Sequence, residues 1–72
     1  MIGEAIKKAR LEAGLTKAEV ARRLGVDWST VYKWEANLRT PETRYLLELM
    51  RILPTLKDHL DGERDGKERA KR

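Results

Sequence analysis

Ser29, Tyr32 and Lys33 carry the groups in this chain best suited to gripping another molecule. At 3.6 residues per turn they share one side of a helix with Ala36, while Val31 and Trp34 fall on the opposite side. A lysine ammonium donates hydrogen bonds, a serine hydroxyl donates or accepts, and a tyrosine ring adds apolar surface with a polar tip. Trp28 opens the same stretch with a second ring. This is the chemistry of recognition and not of bond-making. The chain has no cysteine and one histidine, His59, so disulfides and thiolate zinc sites are excluded and a lone imidazole cannot close on a metal. No Ser-His-Asp set, no pair of carboxylates placed for acid–base work and no glycine-rich phosphate loop is evident. The expectation is a non-enzyme with no catalytic residue, metal, cofactor or small-molecule ligand.

The 72 residues make one small domain the natural prior. Lys plus Arg number 16 against 12 Asp plus Glu, a net charge of +4. That excess is small, so attraction for a polyanion depends on cations sharing a face. Lys17 stands where a helix begins, and the unpaired N–H groups there favour a phosphate. No run is apolar enough to span a bilayer, and Met1 to Arg10 lack the apolar stretch of a signal peptide. A cytoplasmic location is expected.

Four or five helices must position these groups. Ile2, Ala5, Ile6, Ala9 and Ala13 recur at helical steps, and Gly14 supplies a C-cap. Thr16 and Glu19 form a capping box for a second helix with apolar Val20, Ala21 and Leu24, closed by Gly25. Asp27 is the expected N-cap of the third helix, and Asn37 takes the left-handed position after it. Thr40-Pro41 reads as the start of the fourth, with Tyr45, Leu46, Leu49, Met50 and Leu53 as its buried stripe. Pro54 should stop it, and Leu56 and Leu60 predict a short fifth helix or turn. Residues 62–72 lack any apolar side chain larger than alanine and predict a polar, disordered tail to a domain over 1–61. His59 is expected to be exposed.

The segment from Leu15 to Glu35 holds two short helices joined by Gly25-Val26-Asp27. Ala21 lets the two backbones approach, and Gly25 accepts the positive φ of a tight turn. With Arg10, Gly14-Leu15-Thr16, Val20 to Val26, Ser29-Thr30-Val31, Trp34-Glu35 and Pro41, residues Ile2 to Leu53 resemble the lambda-like phage repressor family, the Cro/cI or XRE-type helix-turn-helix. The resemblance implies an all-α, compact four- to five-helix lambda-repressor-like domain whose helices 2 and 3 form the motif. It implies sequence-specific binding of double-stranded DNA, commonly as a dimer on a palindromic operator, by a transcriptional regulator acting as a repressor and nucleoid-associated when bound.

Carried over by position, Trp28, Ser29, Tyr32 and Lys33 are the base-reading candidates. Lys17, Thr30, Asn37, Arg39, Thr40 and Arg44 are the phosphate-binding candidates. Arg10 and Glu35 are a structural ion pair between the first and third helices. The chain departs from the family pattern at Lys17, where glutamine is usual, and at Asn37, where glycine is usual. Leu47, Ile52, Leu56 and Leu60 exceed what one helix stripe needs and are read either as core cover or as a homodimer patch. Two other readings remain open: an antitoxin or plasmid-control DNA-binding protein, and the same fold reused to dock a partner protein.

Overall fold

The apolar spacing at the start of the chain folds as α1, Ile2–Glu12. The computed structural model describes residues 2–62. α2 spans Lys17–Leu24, α3 spans Trp28–Glu35 and α4 spans Thr43–Ile52. A further helical segment, α5, covers residues 56–62. The described residues contain no strand. Of the tail expected over 62–72, only Gly62 is described, within α5, and the rest lies outside the described residues.

Local chemistry sets most boundaries. The Thr16 hydroxyl accepts from the Glu19 N–H at 3.1 Å, and the Glu19 carboxylate accepts from the Thr16 N–H at 2.8 Å. Both bonds satisfy N–H groups that a helix start leaves without partners. Gly25 ends α2 at φ 73°, and the Val26 N–H then bonds back to the Ala21 carbonyl at 3.0 Å. Asp27 holds the N-cap position of α3 in extended conformation but makes no side-chain capping bond.

The fourth helix begins later than Thr40-Pro41 predicts. Glu42 is its N-cap, at φ −63° and ψ 156°, and Pro41 is buried. The proline ring serves as an apolar anchor for the loop, so the helix starts beyond it. At the other end Leu53 is extended, the conformation that the following Pro54 favours.

The core joins all five helices. Ala5, Ile6 and Ala9 of α1 meet Val20 and Ala21 of α2, Val31 and Trp34 of α3, and Leu49, Leu53 and Leu56 from the C-terminal half. Tyr45, Leu46 and Met50 are half-buried against it. Of the two readings of Leu47, Ile52, Leu56 and Leu60, core cover fits three of them. Leu56 is 0% exposed and belongs to the core, and Ile52 and Leu60 pack partly against it. Of the four residues only Leu47, 60% exposed, stands in solvent. The small core of a short chain draws in the apolar side chains of its last helix.

His59, expected to be exposed, is also corrected. Its Nε2 lies 2.9 Å from Glu12 Oε1, which accepts a second bond from the Thr55 hydroxyl at 2.6 Å. This cluster ties α5 to the end of α1. The Thr55 hydroxyl first, and His59 second, hold the Glu12 carboxyl below its ordinary value of 4.5. The Thr16 backbone N–H, and then its hydroxyl, do the same for Glu19. The folded chain therefore releases these protons more readily than the unfolded chain. The stabilisation is complete above the unfolded value and is lost as pH falls through the folded ones. Urea denaturation at successively lower pH should show stability falling below about pH 4.5. Glu12→Gln should remove part of that slope; a slope unchanged by the substitution would count against the cluster.

Candidate nucleic-acid interface

α3 divides sharply between an inner and an outer side. Val31 and Trp34 are buried, and Trp34 packs on Tyr45 with ring centroids 5.6 Å apart. Trp28, Ser29, Tyr32, Lys33 and Ala36 are all exposed. Trp28 and Tyr32, one turn apart, stack with centroids at 5.5 Å and planes 11° apart.

Three contacts hold that outer side in place. Gly25 makes the tight turn from α2, and Ala21 is small enough for α2 to pack close to α3. The second contact is between Arg10 and Glu35. Arg10 Nε donates to Glu35 Oε2 at 2.6 Å and Nη2 donates to Oε1 at 3.1 Å. Arg10 Nη1 donates to the Leu15 carbonyl at 2.9 Å, so one guanidinium joins α1, α3 and the turn before α2. Both side chains are almost fully buried, 7% and 4% exposed.

The third contact was not legible in the sequence. The Gly3 N–H donates to Asn37 Oδ1 at 3.0 Å. A Cβ on Gly3 would sit 2.5 Å from the Glu35 carbonyl and 2.6 Å from the Trp34 carbonyl. Asn37 itself lies at φ 61°. Glycine could adopt that backbone but has no side-chain carbonyl to offer Gly3, which gives a physical reason for asparagine here.

Cations and hydroxyls flank α3 on two sides. One shallow hollow is lined by Lys7, Lys17, Tyr32, Glu35 and Ala36. Its two ammonium groups come from α1 and from the first turn of α2, and its carboxylate is already paired with Arg10. Lys7 was missed by sequence reasoning. Its signal was there: it precedes Arg10 by one turn, on the side of α1 that meets α3. The other cleft is lined by Thr30, Trp34, Arg39, Thr40, Glu42 and Tyr45. Arg44 lines neither hollow but contacts two residues of the second. Its Nε is 3.4 Å from Glu42 Oε1, and its guanidinium covers the Tyr45 ring at 4.7 Å.

The described residues hold no group of three or more His, Asp or Glu that could bind a metal, and no buried side-chain polar atom among them lacks a partner. No helix among them is long and apolar enough to cross a membrane. What the arrangement offers is a protruding helix with donors and rings on its crest and cations along its flanks.

Residues 6–58 match the family model described as Helix-turn-helix. The HTH-type transcriptional regulator ImmR of Bacillus subtilis strain 168 is 32% identical over 62 residues, which cover 86% of this chain and 49% of that protein. The chain thus spans about half the length of the curated relative it matches. No solved structure matches it.

Proposed function

The chain belongs to the Cro/cI-like helix-turn-helix family, and from that premise we propose that it is a DNA-binding transcriptional regulator, a repressor, reading the major groove with α3. The observation that carries this reading is the exposure of Ser29, Tyr32 and Lys33 on a helix whose other side is locked into the core. An α-helix fits the major groove, where each base pair shows a distinct set of donors and acceptors. Lys33 donates to guanine O6 and N7, and Ser29 donates or accepts. Lys7 and Lys17 on one flank, and Arg39 on the other, neutralise phosphates on the two sides of the groove, and the Thr30 and Thr40 hydroxyls donate hydrogen bonds to them. With Oδ1 taken by the Gly3 N–H, the Asn37 amide N–H groups are left to donate to a phosphate. Two copies on a palindromic operator would set their α3 helices about 34 Å apart, in successive major grooves. Bound at a promoter, they would exclude polymerase.

Selection from a random-sequence duplex library supplies the test. The recovered motif should show paired half-sites at one helical turn. On that duplex Lys33→Ala should lower discrimination at one base pair by about 1–3 kcal/mol, with little change at other positions. A uniform loss on all sequences would assign Lys33 to a phosphate, and recovery of no motif would remove the DNA reading.

A further inference from the structure

We propose that the stacked Trp28–Tyr32 pair reads the C5 methyl groups of thymine, so that the chain separates thymine from uracil in an otherwise identical duplex. The proposal rests on α3 lying in the major groove.

Aromatic rings are usually placed where their large apolar surface is covered. Here the two rings are 52% and 44% exposed, on the crest of α3, and they stack on each other. The stack fixes their orientation before any partner arrives, so little side-chain freedom is left to lose on binding. Neither the indole N–H nor the phenol hydroxyl has a hydrogen-bond partner within the chain among the described residues. Trp28 is the first residue of α3, and the first residues of a recognition helix approach base edges most closely.

The thymine C5 methyl is the largest apolar group that a base edge shows in the major groove; cytosine offers only a C5–H beside its N4 donor. A ring laid over cytosine N4 or guanine O6 strips water from a polar group and returns nothing. Laid over a methyl, it removes apolar surface from water at no such loss. The pair spans 5.5 Å between centroids, while successive base pairs rise about 3.4 Å. The pair therefore covers two neighbouring base pairs, and Lys33 reads beside it.

The test is a uracil scan. The duplex selected on the protein is resynthesised with each thymine in turn replaced by deoxyuridine, which removes the methyl and nothing else. Affinities are read by fluorescence anisotropy. Each of one or two adjacent replacements per half-site should weaken binding about fourfold, the worth of one buried methyl-sized group. Trp28→Ala and Tyr32→Ala should bind the thymine and uracil duplexes equally there. Neither ring belongs to the core, so both variants should still unfold cooperatively, with a midpoint only slightly below the parent's for the lost stack. A silent scan on a duplex that is still bound specifically would overturn the methyl reading and leave the proposed function standing. A methyl effect that persists in both variants would assign it to another group and overturn the proposal. If no duplex is bound specifically, both readings fall together.

Discussion

Glu35→Ala is expected to lower the free energy of unfolding by about 3–5 kcal/mol. Arg10 is 6% exposed and commits Nε and Nη2 to the Glu35 carboxylate. Removing the carboxylate strands a buried cation whose one remaining bond among the described residues is to the Leu15 carbonyl. The surface pairs Arg44–Glu42 and Lys57–Asp61 make a useful contrast, since water screens each of them and the loss of either should cost at most about 1 kcal/mol. A double replacement of Arg10 and Glu35 by apolar side chains of similar size should recover much of the loss, because no charge is then left unpaired. Urea denaturation measures all of these. A Glu35→Ala variant within about 0.5 kcal/mol of the parent would mean that the pair is not desolvated as described.

The second large effect is expected at Gly3, and its sign is the informative part. Alanine for glycine inside a helix normally stabilises by about 0.5–1 kcal/mol, since it restricts the unfolded chain. At Gly3 the added Cβ would meet two backbone carbonyls of α3 at 2.5 and 2.6 Å. Backbone cannot swing aside as a side-chain tip can, so α1 must lift from α3 and the bond from the Gly3 N–H to Asn37 is strained. Gly3→Ala should destabilise by about 1–3 kcal/mol, as overpacking does. It should also weaken specific DNA binding, because the same contact sets the tilt of α3. A variant as stable as the parent, or more so, would show that α1 and α3 are not in close contact at this point.

How far the sequence could be read depended on the range of each interaction. The Thr16–Glu19 capping box and the Gly25 turn are written within a few residues, and both stand in the fold as read. The all-helical class was legible for the same reason. The start of α4 was misjudged because Thr40-Pro41 carries a strong local cap signal, while the burial of Pro41 is a property of the packed chain. For the same reason the place of Leu56 was left open between core and patch, and His59 was misjudged. Their partners, the core and Glu12, lie far off in sequence, and a period of three or four residues does not say which element covers which. The Arg10–Glu35 geometry spans 25 positions and was named in advance through the family likeness alone. Gly3 was overlooked because a close backbone approach leaves no sequence signal beyond the glycine itself. In the candidate interface, the outward face of α3 followed from helical period. The stacking of Trp28 on Tyr32 and the joining of Lys7 to Lys17 required the fold.

The most direct measurement is an anisotropy titration of the selected duplex and of a scrambled duplex, repeated over rising salt. With Lys7, Lys17 and Arg39 each neutralising a phosphate on both subunits of a dimer, log K should fall against log salt with a slope of about −5. The selected duplex should bind at least about a thousandfold tighter than the scrambled one. Equal affinity for the two duplexes, or no binding at low salt, would contradict the assignment of α3 as a major-groove reader.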